Sequence, residues 1–143
     1  MKIELYIKTN RNPGRQKAAA SKWSIIAYNP RGIIGATRNG AVVLPQSTGH
    51  KAALTALRDA LQRFDKPAVV KIFVSDPFVR NMLVSNMPYR WSCNNWRKFR
   101  YSRDIKHIEL WQEVNELLKN HAVNYASPDE LASNINFKNM EVK

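Results

Sequence analysis

A single cysteine, Cys93, stands among the 143 residues, so no intrachain disulfide can form and the chain suits a reducing compartment. The cysteine itself reads as a small, semi-buried side chain. No apolar run approaches the ~18 residues of a membrane-spanning helix, and Met1-Lys2-Ile3-Glu4 passes straight into a strand-like alternation with no apolar leader core. We therefore expect a soluble, cytoplasmic protein with no membrane partner. Repeats, low-complexity tracts and linkers are also missing, which implies one domain over residues 1–143 with a frayed tail at 138–143.

Negative charge is the scarcest commodity. No Asp or Glu occurs between Glu4 and Asp59, a stretch that holds Lys8, Arg11, Arg15, Lys17, Lys22, Arg31, Arg38, Lys51 and Arg58. The formal net charge is +12. Such a field attracts polyanions and costs the compact state some self-repulsion, so nucleic acid leads the partner classes, against the plainer reading of a solvated basic face. An anionic membrane fits less well, because the sequence carries no basic amphipathic helix or lipidation signal.

What is present reads as alternating strands and helices. Residues 2–8 alternate polar and apolar, the period of a half-buried strand. A basic loop broken by Asn12-Pro13-Gly14 follows. Residues 22–28 and 32–38 flank Asn29-Pro30-Arg31 and predict a hairpin, with 40–44 as a further strand of that meander. From an N-cap at Ser47 or Thr48, Leu54, Leu57, Leu61 and Phe64 recur at helical spacing, and Asp65-Lys66-Pro67 ends the helix. The β-branched run 68–75 predicts a central buried strand. Asp76 sits at its C-terminal end, where open α/β sheets usually bind ligands. Pro77 opens a helix to about residue 86, and a basic aromatic segment covers 89–103. A helix over 106–120 buries Ile108, Trp111, Val114, Leu117 and Leu118; 121–126 is a short strand; and Ser127-Pro128-Asp129-Glu130 has the pattern of a capping box opening a last helix.

Several stretches resemble bacterial type 1 ribonuclease H. Ile72-Phe73-Val74-Ser75-Asp76 with Val79-Arg80 is similar to that family's central strand and following helix start. Ile105-Lys106-His107-Ile108-Glu109-Leu110-Trp111-Gln112 is similar to its Val-Lys-Asn-x-Asp-Leu-Trp-Gln helix, and Asp129-Glu130-Leu131-Ala132 matches its Asp-Glu-Leu-Ala. The likeness spans nearly the whole chain and implies an α/β, ribonuclease H-like fold. Its sheet would be mixed and five-stranded, three antiparallel strands and then parallel ones, with helices packed on it. It also implies a quartet of carboxylates holding two divalent ions about 4 Å apart, one generating hydroxide and one stabilising the leaving oxygen. By position the four acids fall at Lys8, near His50, at Asp76 and at Asp129. Only the last two are acids here, and the family's Gly-His loop before the last helix is missing.

A lysine repels cations where a carboxylate should bridge them, and His50 is a poor ligand for Mg²⁺. Glu4 shares the face of Lys8 but lies about 13 Å along the strand. The resemblance thus implies a degenerate site in which Asp76 and Asp129 are catalytic remnants. No cofactor is expected, or Mg²⁺ or Mn²⁺ if the chain is active, with Asp76 the ligand if there is any. Lys8, with Arg11, is a candidate phosphate binder and a candidate partner of Asp76; its plain reading is a solvent-facing lysine. His50 has the plain reading of a polar residue in an exposed first turn, and Asp129 that of a helix-capping acid. In the segment corresponding to the family's basic protrusion, Arg90, Trp91, Trp96, Arg97, Lys98 and Arg100, together with Lys106, are candidate nucleic-acid contacts, though Trp91 and Trp96 can instead pack on the core.

Three functions remain open at this point. The first is a non-cleaving binder of RNA/DNA hybrid or duplex RNA. The second is a metal-dependent endoribonuclease with an altered site, and the third an interaction module with a ribonucleoprotein partner.

Overall fold

Alternation along residues 2–9 dictates two faces. Leu5 and Ile7 point one way, Glu4 and Tyr6 the other, and all four are buried because this strand lies in the middle of a sheet. The computed structural model describes residues 2–10, 15–96 and 105–140, the side chains of 15–17 excepted. Strand β1 (Lys2–Thr9) pairs antiparallel with β2 (Arg15–Tyr28) and parallel with β4 (Val69–Val74). Strand β3 (Ile34–Thr48) pairs antiparallel with β2, and β5 (Ala122–Tyr125) parallel with β4, giving the order β3-β2-β1-β4-β5. This is the mixed sheet that the resemblance implies.

Helices cover both faces. Helix α1 (Gly49–Leu61), capped by Thr48, packs with α4 (Ile108–Leu118) over Leu5, Ile7, Val70, Ile72 and Val74. Helix α2 (Pro77–Val84) follows β4, and α3 (Met87–Cys93) follows α2. On the opposite face Tyr6, Ile26, Phe73, Ala126 and Phe137 form a second cluster. It is closed by α5 (Pro128–Ser133), with the full capping box of Ser127 and Glu130, and by α6 (Ile135–Lys138). None of the described helices is long and apolar enough to cross a membrane.

Two expectations change. Residues 40–44 do not form a separate strand, because β3 runs unbroken through Gly40. Gly40 is there for close approach instead of a turn: a Cβ at this position would lie 2.3 Å from the indole of Trp23 on the facing strand. Residues 87–93, read only as basic and aromatic, form a helix with Pro88 in its first turn. Of the tail expected from 138 onward, Lys138 completes α6 and the amide of Met140 donates to the Phe137 carbonyl at 3.2 Å, while 141–143 lie outside the described residues.

Trp23 is 5% exposed and held in the main core, so it cannot swing aside for an added methyl. Gly40→Ala is expected to lower stability by about 1–3 kcal/mol, read from the midpoint of chemical denaturation; an unchanged midpoint contradicts this packing.

Candidate functional site

Parallel pairing of β1 with β4 brings Lys8 and Asp76 to the same end of the sheet. The pairing continues past the strands, with the Ser75 amide donating to the Ile7 carbonyl at 3.0 Å and the Thr9 amide donating to Ser75 Oγ at 2.9 Å. The first turn of α1 starts at this end too, and it places His50 beside Asp76. His50 Nδ1 lies 2.9 Å and 2.8 Å from the two carboxylate oxygens. One of those oxygens also accepts from the Val79 amide at 3.0 Å, which makes Asp76 the N-cap of α2. Asp76 is only 8% exposed. A carboxylate so buried needs donors, and the imidazole and the helix amide supply them. The ring of Phe78 packs against His50 with centroids 4.7 Å apart.

Two expectations are revised by this geometry. Asp76 pairs with His50, and Lys8 turns to the opposite face of the sheet. The Lys8 ammonium donates to the carbonyls of Phe137 at 2.9 Å and Lys138 at 3.3 Å, and sits 5.2 Å over the Phe137 ring. It therefore neutralises the carbonyl end of α6, where partial negative charge works against a phosphate ligand. His50 is likewise not a bystander in an exposed turn, since its ring is fixed from two sides.

Asp129 is exposed in the first turn of α5. Its neighbour Glu130 pairs with Lys71, and that hydrogen bond holds the Glu130 carboxyl below its usual range. Among the described residues no three His, Cys, Asp or Glu side chains are placed to hold a metal ion. Hard divalent ions need several oxygen ligands. Among the described residues this end of the sheet offers one carboxylate, Asp76, both of whose oxygens are bonded to imidazole, and a lysine turned to the opposite face where the first acid was expected. The residues present do not fit a pair of divalent ions.

Trp91 is 5% exposed and meets Trp111 edge to face, with centroids 5.7 Å apart. It is core, and a buried indole cannot stack on a base, so it leaves the set of candidate contacts. Trp96 is half-buried against the same core. Arg90 and Lys106 are exposed. Arg97, Lys98, Arg100 and Arg11 lie outside the described residues.

Sequence reasoning missed His107 and Lys51. His107, in a left-handed conformation at the start of α4, is held below the ordinary histidine pKa by burial first and then by Lys51, Lys106 and His50. The N-terminal ends of α1 and α4 therefore lie near enough for His107 to feel the charges of His50 and Lys51. The signal was available: the first turn of a helix and the turn before another, each with a histidine beside a lysine.

Comparison with known proteins agrees with this architecture. The family model for RNase H matches residues 9–127. A ribonuclease H of Chlorobium phaeobacteroides is 28% identical over 89 residues, covering 62% of this chain and 60% of that protein. One from Caldicellulosiruptor saccharolyticus is 30% identical over 79 residues, 55% of this chain and 54% of that protein. The match thus spans less than two thirds of either relative. Among solved structures, LC9-RNase H1, a type 1 RNase H with the type 2 active-site motif, superimposes with a TM-score of 0.70 at 20% identity, covering 87% of this chain and 61% of the other. The foamy viral protease-reverse transcriptase in complex with RNA/DNA hybrid gives 0.63 at 17% identity, over 95% of this chain and 19% of that one. At these identities the structural likeness concerns the fold alone.

Lys8 links the two ends of the chain. Lys8→Met is expected to lower stability by about 1 kcal/mol through loss of the charged contacts to the α6 carbonyls, with faster amide exchange in residues 135–138. Unchanged exchange there contradicts the capping role.

Proposed function

Because the chain belongs to the RNase H family, we propose that it binds RNA/DNA hybrid or duplex RNA through a basic surface and does not cleave by the family's two-metal route. The observation that carries this reading is the His50–Asp76 contact. It occupies the one buried carboxylate at the end of β4, while Lys8 stands at the position of another.

Binding needs less than catalysis. Phosphates are attracted by any fixed array of cations, and the formal charge of +12 supplies a strong field. We assign the contacts to Arg90 and Lys106, which are exposed, and to Arg97, Lys98 and Arg100 of the adjoining segment. Trp96 contributes an aromatic edge beside them. In this reading Asp76 acts as the N-cap of α2 and Asp129 as an acid in the first turn of α5, and neither as a metal ligand.

Neutralising phosphates releases condensed counterions, so affinity for a hybrid duplex should fall steeply with salt and need no divalent ion. Arg97→Ala, Lys98→Ala and Arg100→Ala together should reduce the slope of log affinity against log salt by about 2–3, measured by filter binding with and without Mg²⁺. A slope unaltered by the triple change contradicts the assigned surface and favours an interaction module with a ribonucleoprotein partner. Cleavage that needs Mg²⁺ or Mn²⁺ and vanishes in Asp76→Asn returns the chain to the metal-dependent nucleases.

A further inference from the structure

The contact that excludes the metal pair has a chemistry of its own. A carboxylate only accepts hydrogen bonds, so the short contacts to both Asp76 oxygens place a proton on His50 Nδ1, and in the neutral imidazole the lone pair then lies on Nε2. Asp76 is locked by the Val79 amide and by burial, and the Phe78 ring fixes the imidazole plane. Yet 38% of the His50 side chain remains exposed. An aspartate that orients a half-open histidine is the arrangement of a general base. A second imidazole, His107, lies near enough to feel the charges of His50, Lys51 and Lys106, so cationic groups share this neighbourhood.

RNA carries its own nucleophile, the ribose 2′-hydroxyl, and its cleavage needs a base and a cationic site but no metal. We propose that the His50–Asp76 pair makes this chain a metal-independent ribonuclease acting on RNA at or beside unpaired nucleotides. His50 Nε2 takes the proton of the 2′-hydroxyl, and the 2′-oxygen bonds to the adjacent phosphorus. The bond from phosphorus to the 5′-oxygen breaks, and that oxygen takes a proton from water. His50 then returns its proton to solvent. The products are a 2′,3′-cyclic phosphate and a 5′-hydroxyl, and no redox change occurs. His50 is the catalytic residue and Asp76 a positioning residue. An unpaired ribonucleotide is specified because the 2′-oxygen must swing into line with the leaving oxygen, which a stacked helix resists. This inference rests on the proposed nucleic-acid binding, but differs from it in requiring bond cleavage.

The full chain is incubated in EDTA with a 5′-labelled RNA annealed to a shorter DNA, so that ribonucleotides stay unpaired beside the hybrid. We expect fragments ending in 2′,3′-cyclic phosphate, and none from RNA carrying a 2′-deoxy residue at the cleaved position. His50→Gln should lower the rate at least ~100-fold while keeping its melting temperature and its affinity for the probe. Asp76→Asn keeps an acceptor for the Val79 amide but imposes the wrong tautomer on His50, and should lower kcat with KM unchanged. Binding without cleavage overturns the inference and leaves the binding function standing. Equal cleavage by His50→Gln, or fragments with 3′-hydroxyl and 5′-phosphate ends that require a divalent ion, overturn it as well. Failure to bind the probe removes both readings.

Discussion

A carboxylate shut away from water has to be met by donors, and how Asp76 is met sets the character of this protein. In a site built for metals the charge of such a group is answered by cations shared with other acids. Here the answer is local and permanent. One imidazole takes both oxygens, and one helix amide takes a share of the same carboxylate. Those bonds already engage both oxygens of Asp76, and the absence of acids from residue 5 to 58 leaves the C-terminal end of β1 and the first turn of α1 no carboxylate to add.

The other face of the sheet is closed by the same economy of charge. Lys8 is one residue beyond Ile7, so its side chain emerges on the face of Tyr6 and Phe137, opposite the main core. There it meets the carbonyl end of α6, and the C-terminal helices are fastened to the first strand. Tyr6, whose hydroxyl accepts from Asn134 Nδ2 at 3.5 Å, and Lys71, which pairs with Glu130, continue that fastening along the same side. Lys8 and His50 therefore do different work. One holds a helix, and the other orients a carboxylate and is oriented by it.

Much of this was legible in the residues. Leu54, Leu57 and Leu61 at helical spacing behind Thr48 give α1, the Ser127 and Glu130 pattern gives α5, and the β-branched run before Asp76 gives β4. Each of those signals is local. The separate strand read at 40–44 is instead continuous with 34–39, and Gly40 within it admits Trp23 from the facing strand. Trp91 stood open between an interface and the core, because aromatic and basic residues side by side suit both, and its indole faces Trp111 inside the core. The contact between His50 and Asp76 joins residues 26 apart on different elements, and it depends on where α1 lands relative to β4, which no periodicity encodes.

The most direct test of the account is a titration of the isotope-labelled chain with Mn²⁺, following paramagnetic broadening of amide and imidazole signals. Asp76 bound to His50 predicts no selective broadening at the end of β4. Selective loss of the signals of Asp76, His50 and Asp129 would show a divalent ion seated there and contradict it.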